Sequence, residues 1–348
     1  MRITPWAAGL LLAIGASLAQ AANYELSDLG PAKSGSLSQA LSVNNANDAV
    51  GFAIVDFRNY TQQARLFHAG RAVVLTQRAG LEVFASTATG ISDKGFIAGT
   101  IRPIVDDFDK PFLYRNGQIT VLEPPERGYG FATGVNNHGA VIGQSWTAEG
   151  DCLCGFLWQD GQWLALRSPA QGQGSLPLAL NDAGTAVGWA DLAVGRQARR
   201  VAMRWRHGQM HTLPDLGGHR HEAHGINAQG DIVGQSELRG RTNAHAFMVR
   251  QGQVTDLDDD PDSNSAAHGI NAAGQVVGER FQKQTGGAFV TDASGQMQYL
   301  NDLLSPAQQA LWNVTNAAAI NDQGVIVGTA FSSELVAWRA VMLKPLTH

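Results

Sequence analysis

Short apolar runs separated by turn residues fill the chain from Tyr24 to Leu343, and they follow a repeating plan. One twelve-residue frame is clearest in Ala223-His-Gly-Ile-Asn-Ala-Gln-Gly-Asp-Ile-Val-Gly234 and recurs seven times. Its asparagine column reads Asn44, Ser92, Asn136, Asn181, Asn227, Asn271 and Asn321, at gaps of 48, 44, 45, 46, 44 and 50 residues. An aliphatic residue always precedes it. Three positions later stands glycine, or Asn47 in the first copy. Seven positions later stand Gly51, Gly99, Gly143, Gly188, Gly234, Gly278 and Gly328. Asn-x-x-Gly between two apolar runs predicts a tight hairpin, with the Asn side chain capping the turn and the glycine closing it at positive φ. The second glycine ends a short buried strand and predicts a close backbone approach or a bend.

A second hairpin follows each frame after a loop of variable length. Phe112-Leu-Tyr-Arg-Asn-Gly117-Gln-Ile-Thr-Val-Leu122 and Phe156-Leu-Trp-Gln-Asp-Gly161-Gln-Trp-Leu-Ala-Leu166 show it best. Four short antiparallel strands, A to D, in every 45 or so residues predict an all-β, seven-bladed β-propeller of four-stranded antiparallel blades. The chain ends in a seventh strand C, Arg339 to Leu343. The missing seventh strand D is at the other end, where Tyr24-Glu-Leu-Ser-Asp-Leu29 resembles Met210 to Leu216. The N-terminal strand is therefore expected to close the ring. An eight-bladed or open arrangement is the runner-up. Pro306 to Leu311 is the one convincing helix.

These repeats resemble the bacterial extracellular HAF-repeat family. The naming motif stands at His245-Ala246-Phe247, the repeated frame at Gly225 to Gly234 and a Leu-Pro-Asp-Leu-Gly-Gly lead-in at Leu213 to Gly218. The motif is weakened elsewhere, as at Cys154-Gly-Phe156 and Gly287-Ala-Phe289. The resemblance implies export and a repeat fold, and it carries over no activity.

Composition narrows the partners. Of 348 residues 40 are glycine, 44% are hydrophobic and 16% charged, with a net charge of −5. That hydrophobicity excludes disorder. The absent basic excess argues against nucleic acid. Residues 1–21 read as a signal peptide: Arg2, an apolar run from Ala7 to Leu18, then Ala19-Gln-Ala21 as cleavage site. The run is too short to span a bilayer. The expected product is one propeller domain over residues 22–348, secreted or periplasmic, without a membrane span, and monomeric. Cys152 and Cys154 form a C-x-C pair, expected to be loop thiols or an incidental, strained bridge rather than a redox site.

In such a meander the A–B and C–D turns share one face, and the B–C and D–A loops share the other. The long irregular loops all belong to the second kind, so a site is expected there. Arg58, Arg102, Arg196, Arg239 and Arg280 lie in five of the seven B–C loops, accompanied by Asp56, Asp106, Asp191, Glu237 and Glu279. They are candidate contacts to a polar or anionic ligand such as a sugar, unless they are ordinary surface ion pairs. Trp146 and Trp189 are candidate sugar-stacking rings, with edge or core positions as the plain alternative. Asp258, Asp260 and Asp262, in an acidic run without the glycine of an EF-hand loop, are candidate Ca²⁺ ligands, with a solvated acidic turn as the plain alternative. In His219-Arg-His221-Glu-Ala-His224, placed on a D–A loop entering strand A, His-x-His offers two imidazoles to one transition metal, against the plain reading that His224 shares a scaffold column with Thr89, Thr133 and His268. No catalytic motif is present. The leading expectation is a binding module for an extracellular polysaccharide or an envelope protein. A glycan lyase or hydrolase and a purely structural surface protein are the alternatives.

Overall fold

The computed structural model describes residues 23–30, 37–104, 108–124, 128–146, 153–169, 174–194, 197–282 and 285–346. The strands form seven sheets of four, each a meander in the order A-B-C-D. Strand A of each blade lies against strand A of the next all the way round, so the A strands form the inner wall. Blade 7 is the composite one. Its strands Trp312–Ile320, Ile326–Ser332 and Ala337–Pro345 are completed by Tyr24–Asp28, paired antiparallel from Tyr24↔Pro345 to Asp28↔Val341. The predicted closure is thus present. Helix Pro306–Leu311 pins the closing strand, because the Gln308 amide donates to the Leu26 carbonyl at 2.9 Å.

The repeated columns explain why each blade forms. Where the frame has glycine three after the Asn column, that glycine has positive φ, and Asn47 takes the same conformation at 63°. In all seven blades strand A carries a bulge opposite the strand-B glycine, as between Ala223 and Gly225 opposite Gly234. The bulge pushes the strand-A carbonyl inward: a Cβ on Gly234 would sit 1.9 Å from the Glu222 oxygen. Only glycine fits there. The HAF phenylalanine fills the room left by that glycine, with Gly234 paired to Phe247, which is fully buried.

The other two residues of the motif also do structural work. The Ala246 N–H receives no partner from strand D and donates to the Ser265 hydroxyl of the next blade at 3.0 Å. Ala64 to Ser86, Gly155 to Ser175 and Ala340 to Ser38 repeat this clip between blades. His245 is buried and lies 2.9 Å from the Asp256 carboxylate of its own strand D. Arg339 and Asp28 form the matching pair in blade 7.

The Asn column has a second use that its local pattern does not show. Its side-chain oxygen accepts from its own turn, as Asn44 does from Ala46 and Asp48. Its amide nitrogen donates across to the next blade: Asn136 to the carbonyl of Asn181, Asn181 to Asn227, Asn227 to Asn271, Asn271 to Asn321 and Asn321 to Asn44. Asn44 donates to Ser92, where the shorter side chain interrupts the series. Apolar packing between neighbours adds to these links. Phe247, Ile232 and Val249 of blade 5 cluster with Val187 and Ala202 of blade 4.

Candidate functional site

Among the described residues, twelve of the large apolar side chains left exposed lie at the long-loop ends of the strands, and eight of them belong to blades 1 to 3: Val55, Phe57, Tyr60, Phe84, Ile104, Phe108, Tyr129 and Trp146. A patch of this kind on an otherwise polar surface marks a contact site. Phe108 comes from the B–C loop of blade 2, Tyr129 from the D–A loop that follows, and Trp146 from the end of strand B in blade 3 (Val141–Trp146). The backbone sets their approach, since Trp146 N–H donates to the Tyr129 carbonyl at 3.0 Å. The three rings stack in series, Phe108 on Tyr129 with centroids 5.9 Å apart and 10° between planes, and Tyr129 on Trp146 at 5.5 Å and 23°.

Beside this ladder, between blades 1 and 2, opens a cavity of about 240 Å³. Tyr60 and Phe84 stand at its rim, and Asn59, Gln62, Thr87, Arg102 and Asp109 supply its polar lining. Arg102 forks Asp109 through two parallel bonds of 2.9 and 3.1 Å, and Gln62 accepts from the Thr87 hydroxyl at 2.7 Å. The slot combines aromatic surfaces with fixed hydrogen-bonding groups, as small-ligand sites do. Of its residues only Arg102, and of the ladder only Trp146, are legible in the sequence. Phe108 and Tyr129 lie far from any repeat column, and nothing short of the tertiary structure brings them together.

The other sequence candidates are dispersed. Arg58 is exposed in the B–C loop of blade 1, its backbone N–H bonded to Asp56. Arg239 is exposed on the B–C turn of blade 5. Arg196, Asp106 and Cys152 lie outside the described residues; Cys154 is disulfide-bonded. Arg280 turns away from Glu279, because successive strand residues project to opposite faces. It binds Asp258 at 2.6 Å and Asp259 at 2.9 Å. Glu237 receives backbone N–H groups of His219 and Arg220, and Asp191 binds Arg200 at 3.1 Å. Arg280 thus pairs across strands instead of with its chain neighbour Glu279.

The acidic run has the same character. Asp258 is buried; burial alone would raise its carboxyl, but hydrogen bonds from Ser263 and Ser265 and the charge of Arg280 hold it below the usual range. Asp260 accepts from Gln282, and Asp262 lies 3.1 Å from Arg241. Each carboxylate serves a different partner. Among the described residues no three His, Cys, Asp or Glu side chains are grouped to hold a metal ion.

The histidine segment lies within strand A of blade 5, Gly217–Ile226, rather than on a loop. His219 is exposed. His221 occupies the column where other blades carry the serine clip; it is 3% exposed, and burial pushes its imidazole down. His224 stands at the bulge and stacks on His268 of blade 6 at 5.5 Å. The bulge thus turns His224 toward the next blade, and the three imidazoles do not converge.

Carboxylates flank the stacked pair, Glu222 at 3.5 Å from His224 and Glu279 at 3.7 Å from His268. Burial would raise the Glu222 carboxyl, but bonds to His224 and Arg200 outweigh it and hold it low. Glu279 is held low chiefly by the nearby His268 imidazole. Arg200, which joins Glu222 to Asp191, lies 3.5 Å over the Trp189 ring. Trp189 is thus capped by a guanidinium, an intramolecular cation–π contact.

No protein-family model matches the chain, and no curated protein matches it. Solved structures match in fold. A puromycin-hydrolysing peptidase of Mycobacterium tuberculosis superimposes with a TM-score of 0.59 at 12% identity, covering 90% of this chain and 53% of that one. The β-propeller domain of the Trilobed protease from Pyrococcus furiosus gives 0.55 at 9% identity, covering 90% and 98%. An acylaminoacyl peptidase of Pyrococcus horikoshii gives 0.52 at 10%, covering 84% and 49%. The chain spans about half the length of the first of these. The Pyrococcus furiosus domain is described as having an open velcro topology, whereas here Tyr24–Asp28 closes blade 7. At such identities the likeness establishes a β-propeller and nothing of its ligand.

Proposed function

We propose that the chain is an exported HAF-repeat protein that binds an extracellular polysaccharide on the long-loop face of blades 1 to 3. The Phe108–Tyr129–Trp146 ladder beside the polar slot carries this reading. The C–H face of a pyranose is apolar and packs on an aromatic ring, while its hydroxyl edge needs donors and acceptors. Arg102, Asp109, Asn59 and Gln62 offer both within reach of Tyr60 and Phe84. The repeat motifs and the signal-like residues 1–21 support export. No helix among the described residues is long and apolar enough to cross a membrane.

The test is calorimetric titration against a panel of neutral and acidic oligosaccharides, with Tyr129→Ala and Trp146→Ala alongside the wild type. Binding by the wild type and loss of at least tenfold in both variants, at unchanged melting temperature, is expected. Failure of the wild type to bind any glycan, or equal binding by the variants, refutes the reading.

The Glu222–His224–His268–Glu279 cluster is the one observation favouring a lyase or hydrolase. Both its carboxyls are held below their usual range. A glycosidase acid requires the opposite displacement, so binding remains the better-supported function.

A further inference from the structure

The opposite, tight-turn face carries a second cleft, between blades 4 and 5, with a volume of about 620 Å³. Arg204, Arg206, His211 and Arg250 line it, and Asp231 is its one acid. That acid is already engaged, at 2.9 Å from Arg250. The cleft is therefore cationic on a chain whose net charge is −5.

The repeat shows how this departs from the scaffold. The residue after the one paired with the strand-B glycine is Leu66, Leu113, Leu157, Met248, Val290 or Met342 in six blades. In those blades it packs against neighbouring apolar side chains. In blade 4 alone it is Arg204, which is exposed. Two residues on, the column holds His68 in blade 1 and Arg250 in blade 5, each paired with an acid four after the Asn column, Asp48 and Asp231. In blade 4 that acid is replaced by Thr185, and Arg206 faces the same cleft. His211 is paired across strands with Arg204, which brings their side chains side by side. Blade 4 has thus exchanged an apolar plug for a cation and sets a second cation beside it, where the position that holds an acid in blades 1 and 5 is Thr185.

We propose that this cleft binds an oxyanion ester, a sulfate or phosphate group, with Arg204 and Arg206 as the principal contacts and His211 as a further donor. Guanidinium forks match tetrahedral oxyanions in geometry and charge. The site is independent of the aromatic slot on the other face.

The test is calorimetry at constant ionic strength with three probes: inorganic phosphate, inorganic sulfate, and a sulfated hexasaccharide compared with its desulfated form. Arg204→Leu restores the residue type of the other blades, so the variant should fold. Any binding of the desulfated sugar should survive Arg204→Leu. The wild type is expected to bind at least one anionic probe. Arg204→Leu and Arg206→Gln should each weaken that binding by about tenfold or more, the worth of one charge-assisted pair. Binding of the inorganic ions alone identifies a free anion as the ligand. Tighter binding of the hexasaccharide identifies an ester carried on a polymer. No binding of any anion, or undiminished binding by Arg204→Leu, overturns the proposal. Tyr129→Ala should leave this binding unchanged, which separates it from the glycan reading.

Discussion

The guanidinium of Arg339 lies 2.9 Å from the carboxylate of Asp28, although 311 residues separate them along the chain. Arg339 is 1% exposed, so the pair joins the C-terminal strand to the N-terminal strand inside blade 7. Removing Asp28 takes the facing carboxylate away from a buried charge. Asp28→Ala should cost about 3 kcal/mol or more, whereas Asp28→Ala combined with Arg339→Met should recover most of that loss. Urea unfolding of the single and double variants measures both. Equal stabilities for the single variant and the wild type would show that the closure does not depend on the pair.

Two glycine classes should respond differently to the same methyl group. Gly234→Ala would set a Cβ 1.9 Å from the Glu222 carbonyl oxygen and must distort the bulge. Gly252, in the C–D turn with φ +81, has open space around its Cβ. Gly252→Ala should cost about 1–2 kcal/mol, the penalty of a left-handed conformation for a residue with a Cβ, and Gly234→Ala more. Thermal unfolding should rank them in that order, and the reverse ranking would refute the packing role of the column.

His245 should make stability fall toward alkaline pH. Burial opposes its protonation, but the hydrogen bond and charge of Asp256 outweigh it and raise the imidazole above its ordinary value. Its contribution is complete below the unfolded value of about 6.5 and is lost as pH rises through the folded one. The stability difference between wild type and His245→Gln should therefore hold steady up to about pH 6.5 and shrink above it. A constant difference across that range would mean that the imidazole is neutral throughout.

Asp258 should act in the other direction. Its carboxyl is held low, so its contribution is present above the unfolded value of about 3.9 and disappears as pH falls through the folded one. Asp258→Asn should flatten the acid limb of the stability curve. An unchanged limb would assign acid sensitivity to other groups, with Glu222 and Glu279 next to test.

Whatever repeats was legible in the sequence. Seven copies of a frame reveal blade number, turn positions, the strand-B glycine and the completion of blade 7 by Tyr24–Leu29, because each position is sampled seven times under the same physical constraint. Whatever breaks the repeat was legible only in part. Trp146 was singled out, but its stacking on Tyr129 depends on a loop that follows no column. The loop arginines were visible as a set, yet Arg280 reaches Asp258 and Asp259 across the blade instead of the adjacent Glu279, since chain neighbours on a strand point apart. His219 and His221 read as a ligand pair because they are two apart, but one is exposed and the other is buried in the serine-clip column, which only the blade-to-blade contacts reveal. Arg204 emerges as an exception only after the registers of all seven C strands are aligned.

The composite blade also bears on what order the blades need to have. Leu346 N–H bonds to the Asn23 carbonyl at 2.8 Å, so the two strands meeting there lie side by side. Asn321 of blade 7 reaches Asn44 of blade 1 by the contact that links most other neighbouring blades. In packing terms the propeller is a circle, and blade 7 is distinguished mainly by where the polypeptide is cut. A circular permutant with residues 23 and 346 joined by a short linker, and opened instead at the Gly252 turn, should fold to the same ring.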